Sequence, residues 1–146
     1  MQYEDNKEKK VAYRKSNFLI QNYKKRVKII TYIYQFELFD RKVSCEEIFK
    51  NNDLDKWDIA ALELIEQKYD TFVKIASKFT DEDWEWKRIL PLTRAIIIFG
   101  EYELLSKDAK IVINEMVNIA KIFIPNDDYK FVNKILDLIS KRVFNK

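Results

Sequence analysis

One glycine and two prolines in 146 residues set the strongest limit on what this chain can fold into. Tight strand connections draw on residues that reach positive φ or carry a fixed φ, and a sandwich or barrel needs such a connection every few residues. Three residues cannot supply them, so the composition predicts an all-α fold and excludes all-β. Apolar types make up 47% of the chain. A chain of this length can hide roughly 68–70% of its unfolded surface, so a true core is expected and disorder is excluded as well.

The same scarcity narrows the chemistry. There is no His and a single Cys, which removes the commonest general base, the His-paired nucleophiles and the thiolate or imidazole zinc sites together. The lone Gly100 excludes Gly-rich phosphate cradles. Cys45 cannot form an internal disulfide, in keeping with a reducing cytoplasm. The longest purely apolar run, Ala95 to Phe99, is far short of the roughly 20 residues a membrane span requires, and the N-terminus is charged where a signal peptide is apolar. A soluble, cytoplasmic, non-enzymatic protein with no cofactor, catalytic residue, metal site or membrane partner is expected.

Charge has an address. Residues 1–30 hold nine Lys and Arg against three Asp and Glu, a net +6, and the remaining residues hold eighteen against twenty-one, a net −3. A basic end on a mildly acidic body points to an anionic partner, nucleic acid first, or to a solvated lysine-rich face.

No internal repeat or Gly/Ser-rich linker divides the chain, so one domain, 22–146, is expected behind an extension, 1–21, that is helical or mobile. From Tyr23 to Phe39, Lys24, Lys28, Thr31 and Gln35 share one stripe while Val27, Ile29, Ile30, Ile33, Tyr34, Phe36 and Leu38 take most of the circumference, the pattern of a mid-bundle helix. Ser44 and Glu47 form a capping-box pattern opening a short helix to about Asn51. A long helix is predicted from Asp55 to Lys78, with Ile59, Leu62, Ile65, Tyr69, Phe72 and Val73 facing the core. Thr80 and Asp81 are expected to cap a helix from Asp83 to Ile89. Pro91 opens another reaching Leu104, and Asp108 caps one to Ile124. Pro125 stops that helix, and Asn126 or Asp127 caps a last one to Val143. The total is about seven helices, one of them short.

The acidic cluster Asp81, Glu82, Asp83 and Glu85 suits the first turn of a helix better than paired catalysis. Asp53, Asp55 and Asp58 lack the spacing of a calcium loop and read as turn and cap residues. Trp84 and Trp86, two apart, cannot share a helix face. On the helix after Asp108, Val112, Ile113, Met116, Ile119, Ala120 and Phe123 form the expected buried face, opposite Lys110, Asn114 and Lys121. Ile111 and Ile122 are left over beside Glu115 and Asn118, as a protein-binding edge or a second packing strip.

Several segments together resemble one family. Trp84-x-x-x-Arg88-Ile89, Arg94-Ala95-Ile96-Ile97, Tyr102-Glu103-Leu104, Ile113-Asn114-Glu115 with Ala120-Lys121, and Lys130-Phe131-Val132-Asn133 with Leu136-Asp137 are similar, in order, to the signature of NusB, the bacterial transcription antitermination family. Upstream, Lys24-Lys25-Arg26 with Tyr34 and Leu38 resembles its arginine-rich first helix. The resemblance spans roughly residues 22–140 and leaves 1–21 without a counterpart.

It implies two packed helical sub-bundles and a non-enzymatic role. Family members pair with NusE, a small-subunit ribosomal protein, to bind single-stranded boxA RNA within the transcription elongation complex. Carried over, RNA binding falls to Lys24, Lys25, Arg26, Lys28, Tyr34, Lys130, Phe131 and Asn133, and protein binding to Glu103, Ile111, Asn114 and Glu115. Cations with nearby rings, as at Tyr23, suit single-stranded RNA; Phe131, in register with Ile135 and Leu138, fits a core position as well as a stacking one. The sequence departs from the family in having Lys for Arg in the first helix, Ile98 for an Arg, Lys134 for a Gly, Ile124-Pro125 for a glycine break and the added Asp128. Two other classes compete: a homodimeric interaction module without specific RNA binding, and the regulatory domain of an RNA-modifying enzyme, which would need a catalytic domain that no remaining residues are expected to build.

Overall fold

The computed structural model describes residues 2–50, 52–80 and 85–145, with side chains from Asp5 onward. Among the described residues six helices follow one another: α1 (Gln2–Glu37), α2 (Cys45–Phe49), α3 (Lys56–Lys78), α4 (Pro91–Leu104), α5 (Ala109–Phe123) and α6 (Asp128–Arg142), with a 3-10 turn at Trp86–Arg88 between α3 and α4. No strand occurs among the described residues. The all-α expectation holds, and six helices plus the 3-10 turn match the expected count closely.

Local chemistry explains most boundaries. Ser44 Oγ accepts from Glu47 N–H at 3.4 Å to start α2. Asp55 and Asp58 cap α3 reciprocally, each side chain accepting the other's N–H, at 2.8 and 3.2 Å. Pro91 occupies the first turn of α4, where its missing N–H costs nothing. Asp108 accepts from Lys110 N–H at 2.9 Å to start α5. Between α5 and α6, Asn126 takes a left-handed φ of 62° and Asp127 is the N-cap residue, without a side-chain bond.

Other boundaries depart from expectation. α1 runs without a break from Gln2 through the basic segment, because nothing in that stretch ends a helix once it is nucleated. It stops at Glu37, and Leu38 and Phe39 lie in an exposed turn closed by Asp40 at φ 52°. The helix expected over Asp83–Ile89 is, in its described part, only the 3-10 turn. Ile89 and Leu90 are extended there, as the residues leading into Pro91 favour. The Thr80 hydroxyl donates back to the Ser77 carbonyl at 3.0 Å. The expectations placed on Asn51, Asp81, Glu82, Asp83 and Trp84 lie outside the described residues.

α4 is the hub. Every residue from Thr93 to Leu104 except Tyr102 is buried, and α1, α3, α5 and α6 all rest on it. α1, α2 and α3 form one group and α5 with α6 the other, so α4 belongs to both sub-bundles. Ile98 is fully buried in this shared core. A Cβ on Gly100 would stand 2.8 Å from Leu136 and 3.3 Å from Met116, so the absent side chain lets α5 and α6 approach α4. Phe123, expected inside, is 46% exposed at the end of α5, while the next residue, Ile124, is buried in the core.

A buried polar knot fixes the end of α1. Arg94 Nε donates to Glu37 Oε1 at 3.0 Å, its other nitrogens donate to the carbonyls of Glu37 and Ile89 at 2.9 and 2.7 Å, and Tyr69 donates to Glu37 Oε2 at 2.6 Å. Burial and the Glu37 carboxylate push the Tyr69 phenol well above its usual range. Three helices are thereby locked together by one charge pair whose hydrogen-bonding capacity is largely met.

Candidate nucleic-acid interface

The basic segment Lys24–Lys28 lies where α1 passes from solvent onto the body. Asn22 is the first partly buried residue, and Ile29 the first fully buried one. Each cation there has a different role. Lys24 is exposed. Lys25 Nζ sits 2.8 Å from Asp55 Oδ2 and 5.2 Å from the centre of the Trp57 ring. This ammonium, ahead of the capping bond from Asp58 N–H, holds the Asp55 carboxyl below its usual range.

Arg26 turns inward. It is only 13% exposed, its Nε donates to Glu103 Oε1 at 2.7 Å, and a second nitrogen lies 3.8 Å from Glu115 Oε2. Lys28 Nζ donates to Asp58 Oδ2 at 2.7 Å and to the Asp53 carbonyl at 2.9 Å; the Asp58 bond raises its pKa against the opposing effect of partial burial. Arg26 and Lys28 therefore tie α1 to the body as well as carrying charge.

Between these side chains is an open recess of about 240 Å³ lined by Asn22, Lys25, Arg26, Trp57 and Lys107. Lys107 Nζ pairs with the buried Glu103 and lies 6.0 Å from the Trp57 ring centre. Two cations flank the indole and a third lines the recess, each already paired with a carboxylate; a phosphate with a flat base beside it would compete with those carboxylates for the same groups. Trp57 and Lys107 were not among the residues expected from sequence. Lys107 follows Glu103 by four positions and Trp57 follows the Asp55 cap by two, but neither spacing announces that α3 and the end of α4 meet beside α1.

The remaining expected residues are spread out. Tyr34 is partly buried against the core, more than two turns along α1 from the recess, and Tyr23 is also partly buried. Lys130 and Asn133 are exposed on α6, and Lys130 Nζ is 3.6 Å from Asp127. Phe131 is partly buried against the core. α6 rests chiefly on α5 and α4, so the two basic segments stand on separate helices. Of the residues expected to bind protein, Glu103 is buried and held by Arg26 and Lys107, Glu115 is partly buried, and Asn114 is exposed. Ile111 is 56% exposed and Ile122 63%, so neither is a packing strip within the domain.

Among the described residues, no helix is long and apolar enough to cross a membrane. The model of the NusB family matches residues 23–141. The transcription antitermination protein NusB of Staphylococcus aureus strain JH9 is 32% identical over 127 residues, covering 80% of this chain and 95% of that protein. The same protein from strain Newman gives the same figures.

Proposed function

Since the chain belongs to the NusB family of transcription antitermination proteins, we propose that it is an RNA-binding antitermination subunit. On this reading it joins a small-subunit ribosomal protein, NusE, on single-stranded boxA-like RNA in the elongation complex, in the cytoplasm. The observation that carries the RNA part is the recess lined by Asn22, Lys25, Arg26, Trp57 and Lys107, in which Lys25 and Lys107 flank the indole. Cations reach phosphates and the indole offers a stacking face, the pair of contacts that single strands use without needing a duplex groove. Lys24 extends the charge outward, and Lys130 and Asn133 on α6 supply a second contact point.

The test is titration of a boxA-like RNA with and without the ribosomal protein. Lys24→Ala with Lys25→Ala weakens binding and lowers the salt slope by about 1.4, two contacts at about 0.7 each. Unchanged binding by that variant, or no gain from the ribosomal protein, rejects the reading. Arg26 is the wrong residue to remove, because Glu103 would lose a buried partner and the fold would change with the site.

The exposed Ile111 and Ile122 on α5 favour a second reading, a homodimeric interaction module. A stable dimer in sedimentation, together with weak RNA binding at every salt concentration, would establish it instead.

A further inference from the structure

The family match begins at residue 23, yet α1 begins at Gln2, so about twenty residues of helix precede the matched domain as part of the same rod. Every residue from Asp5 to Gln21 is exposed. Because the helix is continuous, the angular position of each arm residue is fixed relative to Lys24 and Lys25. At 100° per residue, Lys7, Lys10, Arg14, Lys24 and Lys25 all fall within an arc of about 100°, joined there by Gln21.

Asp5 and Glu8 fall on the opposite side of the helix, and Lys9 and Lys15 lie off the row. Tyr13 and Phe18, 73% and 65% exposed, border the row on its two flanks. From Lys7 to Lys25 the row extends about 27 Å and ends at the Trp57 recess.

The arm's other side does not suit a membrane or a second helix. Val11, Ala12, Phe18 and Leu19 share an arc, but Glu8 and Lys15 fall within it, and Ile20 and Tyr13 stand on the far side. An interfacial or coiled-coil helix needs one unbroken apolar face. A row of cations flanked by exposed rings is instead the pattern that follows a single-stranded backbone.

We propose that the N-terminal half of α1 is a rigid cationic arm that binds the single-stranded RNA flanking the segment held at the Trp57 recess. This inference rests on the RNA-binding function proposed above and adds a second, outlying stretch of the same strand. Arm and recess belong to one helix, so their spacing is set by the fold and the protein pays little to align them.

The experiment compares the full chain with a Lys7→Ala, Lys10→Ala, Arg14→Ala variant on two labelled RNAs, one short and the other lengthened by about ten nucleotides at each end. On the long RNA the variant's salt slope is expected to fall by about 2, three contacts at about 0.7 each, while the two proteins bind the short RNA alike. Equal slopes on the long RNA, with the short RNA still bound, overturn the arm and leave the proposed function standing. Failure of the full chain to bind either RNA overturns both. Loss of short-RNA binding in the variant also overturns the arm as a separate site. Circular dichroism of the variant, expected to match the parent because Ala is a strong helix former, shows that charge and not helix was removed.

Discussion

Glu101 lies in the middle of α4 with no exposed surface, and neither carboxylate oxygen meets a donor among the described residues. Burial alone pushes its carboxyl well above the ordinary 4.5, so the folded protein holds a proton that the unfolded chain gives up. The folded state binds more protons than the unfolded state above pH 4.5, and stability contributed in acid is lost as pH rises towards the folded-state value. Glu101→Gln keeps the shape and removes the titration. Its Tm is expected to exceed the parent's at pH 7.5 by several degrees and to converge with it near pH 4. A parent that gains on the variant as pH rises would contradict this. Arg94 marks the contrast at the same scale: its charge is equally buried but answered by Glu37 and by backbone carbonyls. The sequence signature singles out Arg94 without revealing that its role is structural, because its partner lies 57 positions away.

At the scale of elements, what could be read from the chain was what is local. The caps at Ser44, Asp55 and Asp108 and the proline at the start of α4 follow from contacts between residues two or three apart. The start of α1 and the extended backbone at Ile89 and Leu90 before Pro91 do not. The first depends on a packed segment that nucleates an otherwise weakly patterned stretch, the second on a proline acting backwards on Leu90. The site was legible in its cations and not in its ring, since Trp57 joins Lys25 only through α3 packing beside α1. Asp55 links the two levels, capping α3 and holding Lys25 in a single carboxylate. Asn caps as well as Asp but carries no charge. Asp55→Asn should therefore leave Tm nearly unchanged and tighten RNA binding at low salt, whereas Asp55→Ala also tightens binding but lowers Tm by a few degrees. Thermal melts beside RNA titrations separate the two effects, and an Asn variant that binds RNA no better than the parent would remove Lys25 from the interface.

The whole molecule combines one cooperative body with one unsupported rod. The buried side chains form a single connected cluster from Ile29 to Ile139, and α4 belongs to both groups of helices, so neither group can melt while the other stays packed. The arm shares none of that cluster. Its helix persists because each residue adds one hydrogen bond to a helix already nucleated in the body, and an isolated segment of this length is marginal in water. Arm and body should then lose structure separately. Far-UV circular dichroism is expected to decline gradually on warming before tryptophan emission moves, since Trp57 and Trp86 both lie against the body. Both signals then fall in one cooperative step. A chain beginning at Asn22 should lose the gradual phase and keep the cooperative midpoint within about 2 °C, because no buried contact is removed. A large drop in that midpoint would mean that the arm folds back on the body in solution, and the row of cations would then face protein instead of solvent.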